Sequence, residues 1–156
     1  MRKFEVVKNE HMVFPNEETI LPKRSDRYSA GYDFYSKENY TLDPGCSHIF
    51  WTDVKVKMFF DNVLMVFARS GIGVKFGVTP RNNVGVIDYS YYGNENNDGN
   101  IGICLCNNGM APFNVEIGDR IAQGVFTRYL ITDDDSCLSQ DEDVKARSGG
   151  FGSSGR

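Results

Sequence analysis

The sequence predicts an all-β fold of sandwich or barrel type. Three observations predict it. Short apolar or alternating runs recur along the chain, turn clusters separate them at regular intervals, and helical periodicity is weak. Phe4-Glu5-Val6-Val7 reads as the opening strand. Val54-Lys55-Val56-Lys57-Met58 alternates apolar and basic residues, the pattern of a half-buried strand with its lysines outward. Val63 to Phe67 is continuously apolar and suits a strand buried on both faces. Ile101 to Cys106 alternates large and small side chains, and a further strand runs over Arg120-Ile121-Ala122-Gln123-Gly124-Val125-Phe126. Turns are expected at Asp43-Pro44-Gly45, Asp61-Asn62, Asn94 to Asn100 and Asn107-Asn108-Gly109. One short helix is expected after Ser70, through Ile72-Gly73-Val74-Lys75, and no internal repeat is visible.

The length of 156 residues suits one domain, and a 40% apolar fraction with 11 Phe and 8 Tyr is enough for a sizeable core. A net charge of −4 with no Lys/Arg stripe argues against general nucleic-acid binding. The four cysteines, Cys46, Cys104, Cys106 and Cys137, contain no CxxC pair, and His11 and His48 are the only histidines. A structural zinc site is therefore not expected, and reduced thiols in a cytoplasmic protein are. Cys104 and Cys106 share a strand face by their spacing, with core packing as the expected role. Neither a signal peptide nor a membrane span is legible. The composition shifts near residue 132. Residues 1–132 read as the β domain, and residues 133–156 as an acidic connector (Asp133-Asp134-Asp135, Asp141-Glu142-Asp143) carrying a glycine-rich arm.

Five segments hold residues able to do chemistry. In Ala30-Gly31-Tyr32-Asp33-Phe34, Asp33 is either structural or a carboxylate near a metal. Arg69-Ser70-Gly71 offers a guanidinium, a hydroxyl and amides after a buried strand; it reads as a phosphate site or as a capped turn. In Gly85 to Gly93, an apolar strand delivers Asp88 at its end, where a carboxylate can activate water, and Tyr91 follows with a ring able to pack on a sugar. Hairpin or core packing is the alternative for those tyrosines. Gly118-Asp119-Arg120-Ile121-Ala122-Gln123 opens a strand with two polar residues, and Asp119 or Asp88 is the expected ionic partner of Arg120. The fifth segment is the end, Gly149-Gly150-Phe151-Gly152-Ser153-Ser154-Gly155-Arg156, a lone ring among glycines and serines with Arg147 ahead of it. It reads as a flap that orders over a nucleotide or as a plain chain terminus. Gly150 to Gly155 fits GxGxxG, but nothing helical follows, so the dinucleotide reading fails; GxxxxGK[ST] and the HxE with PCxxC pattern are absent.

In this order the segments resemble the five motifs of the trimeric dUTPases: SAGYDF from Ser29, ARSGIGVKFGV from Ala68, NNVGVIDYSYYGN from Asn82, GDRIAQGVF from Gly118 and RSGGFGSSG from Arg147. The resemblance implies a jelly-roll-like β-barrel, a homotrimer with sites between subunits, and Mg²⁺-dependent hydrolysis of dUTP to dUMP and pyrophosphate. Such an activity limits uracil in DNA and supplies dUMP for dTMP synthesis. By position, Asp88 would be the base that activates water. Tyr91 would lie under the deoxyribose and exclude a 2′-hydroxyl. Asn82 would read the uracil edge beside backbone groups of the same hairpin, at Gly85 and Ile87. Arg69, Ser70, Gly71 and Gln123 would hold phosphates. Phe151 with Gly152 would cover the uracil, while Arg147, Ser153 and Ser154 close on the outer phosphates. Asp33 would support the metal–triphosphate complex through water. Arg147 lies four residues before Phe151, where the family pattern has five, and Asn82 and Asn83 are adjacent. The resemblance is to the bacterial or phage type, and a phage origin would add a regulatory protein partner. dCTP deaminase is the enzymatic rival, and a protein-binding module on the same scaffold is the rival of another class.

Overall fold

The computed structural model describes residues 1–135. Twelve strands occur in this segment: β1 (Lys3–Val6), β2 (Lys23–Arg24), β3 (Tyr32–Tyr35), β4 (Tyr40–Leu42), β5 (Ser47–Trp51), β6 (Val54–Lys57), β7 (Asn62–Phe67), β8 (Val78–Pro80), β9 (Gly85–Asp88), β10 (Gly102–Asn107), β11 (Phe113–Val115) and β12 (Arg120–Arg128). One α-helix, α1, spans Ser70–Phe76. Among the described residues no helix is long and apolar enough to cross a membrane.

All pairings are antiparallel, in four sheets ordered β1-β6, β5-β10-β8, β11-β4 and β2-β3-β12-β7-β9. The all-β class holds, built of several small sheets rather than one closed barrel ladder. Phe34, Leu42, Phe50, Leu64, Ile101, Leu105 and Ile121 are fully buried between the sheets. Their alternation with half-buried neighbours, as in β10, is the period-two signature of strands with one face inward. At one end of the core Phe4, Tyr32, Phe34 and Phe126 pack ring against ring at 5.3–5.8 Å.

Three expectations change here. Lys55 does not face water. It is buried, and its ammonium lies 2.6 Å from the buried carboxylate of Asp98, so an apparent solvent face carries an enclosed ion pair. Asn62 is not a turn residue but opens β7, buried, with its side-chain oxygen accepting from Arg2. Cys104 and Cys106 share a face as the spacing requires, yet it is the outward one, and both are half-buried rather than core residues.

Candidate functional site

Segment 78–88 positions the first half of the site. β8 pairs with β10, whereas β9 pairs with β7, so the chain crosses between two sheets instead of forming a ladder hairpin. Asn83 makes the crossing: its φ is 63°, and its amide donates to the Pro80 carbonyl at 2.9 Å. Asparagine tolerates that left-handed conformation. Asn83 makes the turn, and Asn82 faces the cavity.

The cavity, about 540 Å³, lies between the two sheets under this crossing. Asn82, Gly85, Ile87 and Tyr91, four residues singled out from sequence, all line it, together with Val66 and Cys104. Gly85 sits tight on β7, since a Cβ there would lie 3.2 Å from the Val66 Cβ. Burial pushes the Cys104 thiol up, which keeps it neutral in that wall. Tyr91 ends a 3₁₀ turn (Tyr89–Tyr91) and is only 6% exposed; its hydroxyl donates to the Asn100 carbonyl at 2.8 Å. Asp88, the last residue of β9, stands opposite Val63 at the start of β7.

The second half lies at the other end of β7. Arg69 caps α1 with extended backbone, and Ser70 and Gly71 are its first two, exposed residues. Helix geometry gives those two N–H groups no acceptor within the helix. The buried Asp33 carboxylate of β3 holds the cluster together. Oδ1 accepts from Arg69 Nε at 2.8 Å, and Oδ2 accepts from Ser25 Oγ at 2.9 Å and Arg120 Nη1 at 3.4 Å. Engaging Arg69 through Nε leaves the two outer nitrogens of the fork for an anion. Arg120 therefore pairs with Asp33, not with Asp119 or Asp88; Asp119 Oδ2 instead accepts from the Glu116 amide at 2.9 Å. Gln123 stands opposite Asp33 in the β12–β3 ladder and donates to the Ala68 carbonyl at 3.1 Å. Gly31 lies close beside it: a Cβ there would fall 2.5 Å from Gln123 Oε1, so the Gln123 side-chain amide would have to shift.

These halves do not meet in one chain. Val63 is the partner of Asp88, and Arg69 follows it by six residues of extended backbone. At about 3.3 Å per residue, Asp88 and the Arg69 cluster stand roughly 20 Å apart. Arg147, Phe151, Gly152, Ser153 and Ser154 lie outside the described residues. Ser25 and Arg120 are the partners of Asp33 that sequence reasoning missed, and no local pattern announces either.

An apolar slot of this size with a tyrosine wall, and a separate cationic cluster at a helix start, suit a base with a sugar and an anionic tail. The molecule is an all-β nucleotide-binding protein. The family model described as dUTPase matches residues 17–155. The deoxyuridine 5′-triphosphate nucleotidohydrolase of Lactococcus lactis is 36% identical over 155 residues, covering 99% of this chain and 98% of that protein. The swinepox virus protein of the same name is 38% identical over 138 residues, 87% of this chain and 89% of its own. The crystal structure of dUTPase from Streptococcus mutans superposes with a TM-score of 0.72 at 35% identity, over 83% of this chain and 98% of that one. The chain belongs to the dUTPase family.

Proposed function

We propose that this protein is a dUTP diphosphatase that hydrolyses dUTP to dUMP and pyrophosphate, with water attacking the α-phosphorus. The observation that carries the reading is the shared cavity of Asn82, Gly85, Ile87 and Tyr91. A uracil edge pairs with Asn82 and the backbone around Gly85 and Ile87; cytosine reverses the donor pattern and leaves buried groups unpaired. The Tyr91 ring lies against deoxyribose where a 2′-hydroxyl would have to fit.

Asp88 acts as the base that takes a proton from the attacking water. Arg69, with Ser70, Gly71 and Gln123 beside it, neutralises the phosphates, because phosphoryl transfer depends on positioning and charge compensation. Since Asp88 and Arg69 stand at opposite ends of β7, a working site takes them from different copies. The family resemblance implies a homotrimer, and we read the protein as one, with its sites between subunits. The arm lends Phe151 and Gly152 to the base, and Arg147, Ser153 and Ser154 to the outer phosphates.

Among the described residues no group of three or more His, Cys, Asp or Glu is arranged to hold a metal ion. These residues do not form a protein cage for Mg²⁺. The ion belongs to the substrate, which enters as Mg²⁺–dUTP with the metal on phosphate oxygens and water. Asp33 acts on that complex through Arg69, and any contact with the metal runs through water.

Pyrophosphate release from dUTP, dCTP, dTTP and UTP, with and without Mg²⁺, tests the reading while ammonia is followed. Mg²⁺-dependent release from dUTP alone is expected. Ammonia from dCTP would reassign the protein to the deaminases. No release from any nucleotide would leave a binding module with a protein partner.

A further inference from the structure

The loop Asn94–Asn100 follows the sugar-facing tyrosine and is unusually rich in asparagine for a surface turn. Three of its polar residues, Asn94, Asp98 and Asn100, are buried. Burying so many polar side chains is costly unless each is paired. Two of the three fasten the loop to the β core. The Asp98 carboxylate accepts from Lys55 Nζ at 2.6 Å and from the Lys8 amide at 2.8 Å. The Asn100 side chain accepts from the Asp53 amide at 3.0 Å and donates to Asp53 Oδ1 at 2.9 Å and to the His11 carbonyl at 3.2 Å.

The rest of the loop grips Tyr91. Asn94 Nδ2 donates to the Tyr91 carbonyl and to Asn97 Oδ1, both at 2.8 Å. Asn97 Nδ2 donates to the Tyr91 hydroxyl at 2.8 Å, and that hydroxyl donates to the Asn100 carbonyl at 2.8 Å. Gly99, at φ 85°, presses on the same backbone, since a Cβ there would lie 2.8 Å from the Tyr91 carbonyl oxygen. The ring is thus held at both ends by a loop that is itself anchored to the core. It also forms part of the cavity wall.

We infer that Asn97 is a positioning residue for sugar selection. By holding the Tyr91 hydroxyl it fixes how closely the ring approaches the ribose, and so how strongly a 2′-hydroxyl is refused. This rests on the reading of Tyr91 as the ring under the deoxyribose. A ring free to tilt away gives room to one more oxygen, whereas proton abstraction at Asp88 is untouched.

The test compares kcat and KM for dUTP and UTP in the full chain and in Asn97→Ala, with Asn96→Ala as the control from the exposed part of the same loop. Asn97→Ala is expected to lower the dUTP-over-UTP ratio of kcat/KM about tenfold, the weight of one well-placed hydrogen bond, while kcat for dUTP stays within about threefold. Asn96→Ala keeps the ratio. Tyr91→Phe removes the same hydrogen bond from its other side, together with the one to the Asn100 carbonyl, without emptying the wall. It is expected to relax the ratio similarly, and adding Asn97→Ala to it changes little further. It carries the test if Asn97→Ala does not fold. An unchanged ratio in Asn97→Ala or, in its absence, Tyr91→Phe, while the unaltered protein refuses UTP, overturns the inference. Equal turnover of dUTP and UTP by the unaltered protein overturns the reading of Tyr91 itself, and the inference with it.

Discussion

Replacing Lys37 by Met removes the centre of a buried polar clasp. The Lys37 ammonium is 3% exposed and donates to the carbonyls of Phe14 and Glu17 at 3.1 and 2.9 Å, to Thr19 Oγ1 at 2.6 Å and to Asp53 Oδ2 at 3.0 Å. Asp53 is fully buried and also accepts from the amides of Val13 and Phe14 and from Asn100. The pair ties the N-terminal segment to the β5–β6 turn. Methionine fills the volume but leaves a buried carboxylate without its cation, which costs about 3–5 kcal/mol. For a chain of this length that lowers the melting temperature by roughly 6–20 °C. Burial alone would raise the Asp53 pKa, but the amides of Val13 and Phe14, Lys37 and Asn100 together outweigh it and hold the carboxyl below its ordinary range. The sign follows. A depressed carboxyl contributes stability above its unfolded value of about 3.9, and that contribution is lost as pH falls through the folded value. Lys37→Met narrows the depression, so its acid unfolding begins at higher pH than in the unaltered protein. The double variant Lys37→Met/Asp53→Asn removes the stranded charge and recovers part of the loss. Thermal melts at fixed chain concentration, repeated from pH 7 downward, read all three effects. A fall of less than about 2 °C in the single variant would refute the reasoning.

Asp88→Asn is expected to retain dUTP binding by calorimetry and to lose about 10²-fold or more in kcat; full turnover would remove Asp88 as the base. Deleting residues 149–156 should leave the oligomer and its melting temperature intact while most activity disappears, measured by light scattering, melting and pyrophosphate release. Activity that survives the deletion would exclude the arm from the site.

Local patterns carried much of the architecture. β7 and β10 are legible because their apolar content is continuous or strictly alternating, and α1 is legible only as a short segment after Ser70 that follows a buried strand. Asp88 at a strand end and Tyr91 three residues on are local facts too, and the cavity gathers Tyr91 with Asn82, Gly85 and Ile87. What stayed hidden depends on distant partners. Lys55 alternates like a surface lysine, and only Asp98, forty-three positions on, makes it a buried one. Nothing around Lys37 distinguishes it from its exposed counterparts, because its acceptors come from the loop at Phe14–Thr19. The pairing of Arg120 with Asp33 likewise needs the β12–β3 ladder. The hairpin expected to join Asn82 to Gly85 and Ile87 is a crossing between two sheets, because strand partners are chosen by the whole sheet and not by the turn. The short strands β4 and β11, three residues each, are too brief for periodicity to speak.

The separation of Asp88 from Arg69 along β7 has a consequence for inheritance. If each site draws one of these residues from one copy and the other from its neighbour, an Asp88→Asn chain and an Arg69→Gln chain are each inert alone yet complement one another. Assembled together in equal amounts, roughly a quarter of their sites receive both intact residues. Two defective alleles in one cell would then restore what neither encodes, and a single defective allele would disable sites in molecules whose other subunits are sound. With sites shared in that way, the functional unit on which selection acts would be the interface, not the polypeptide.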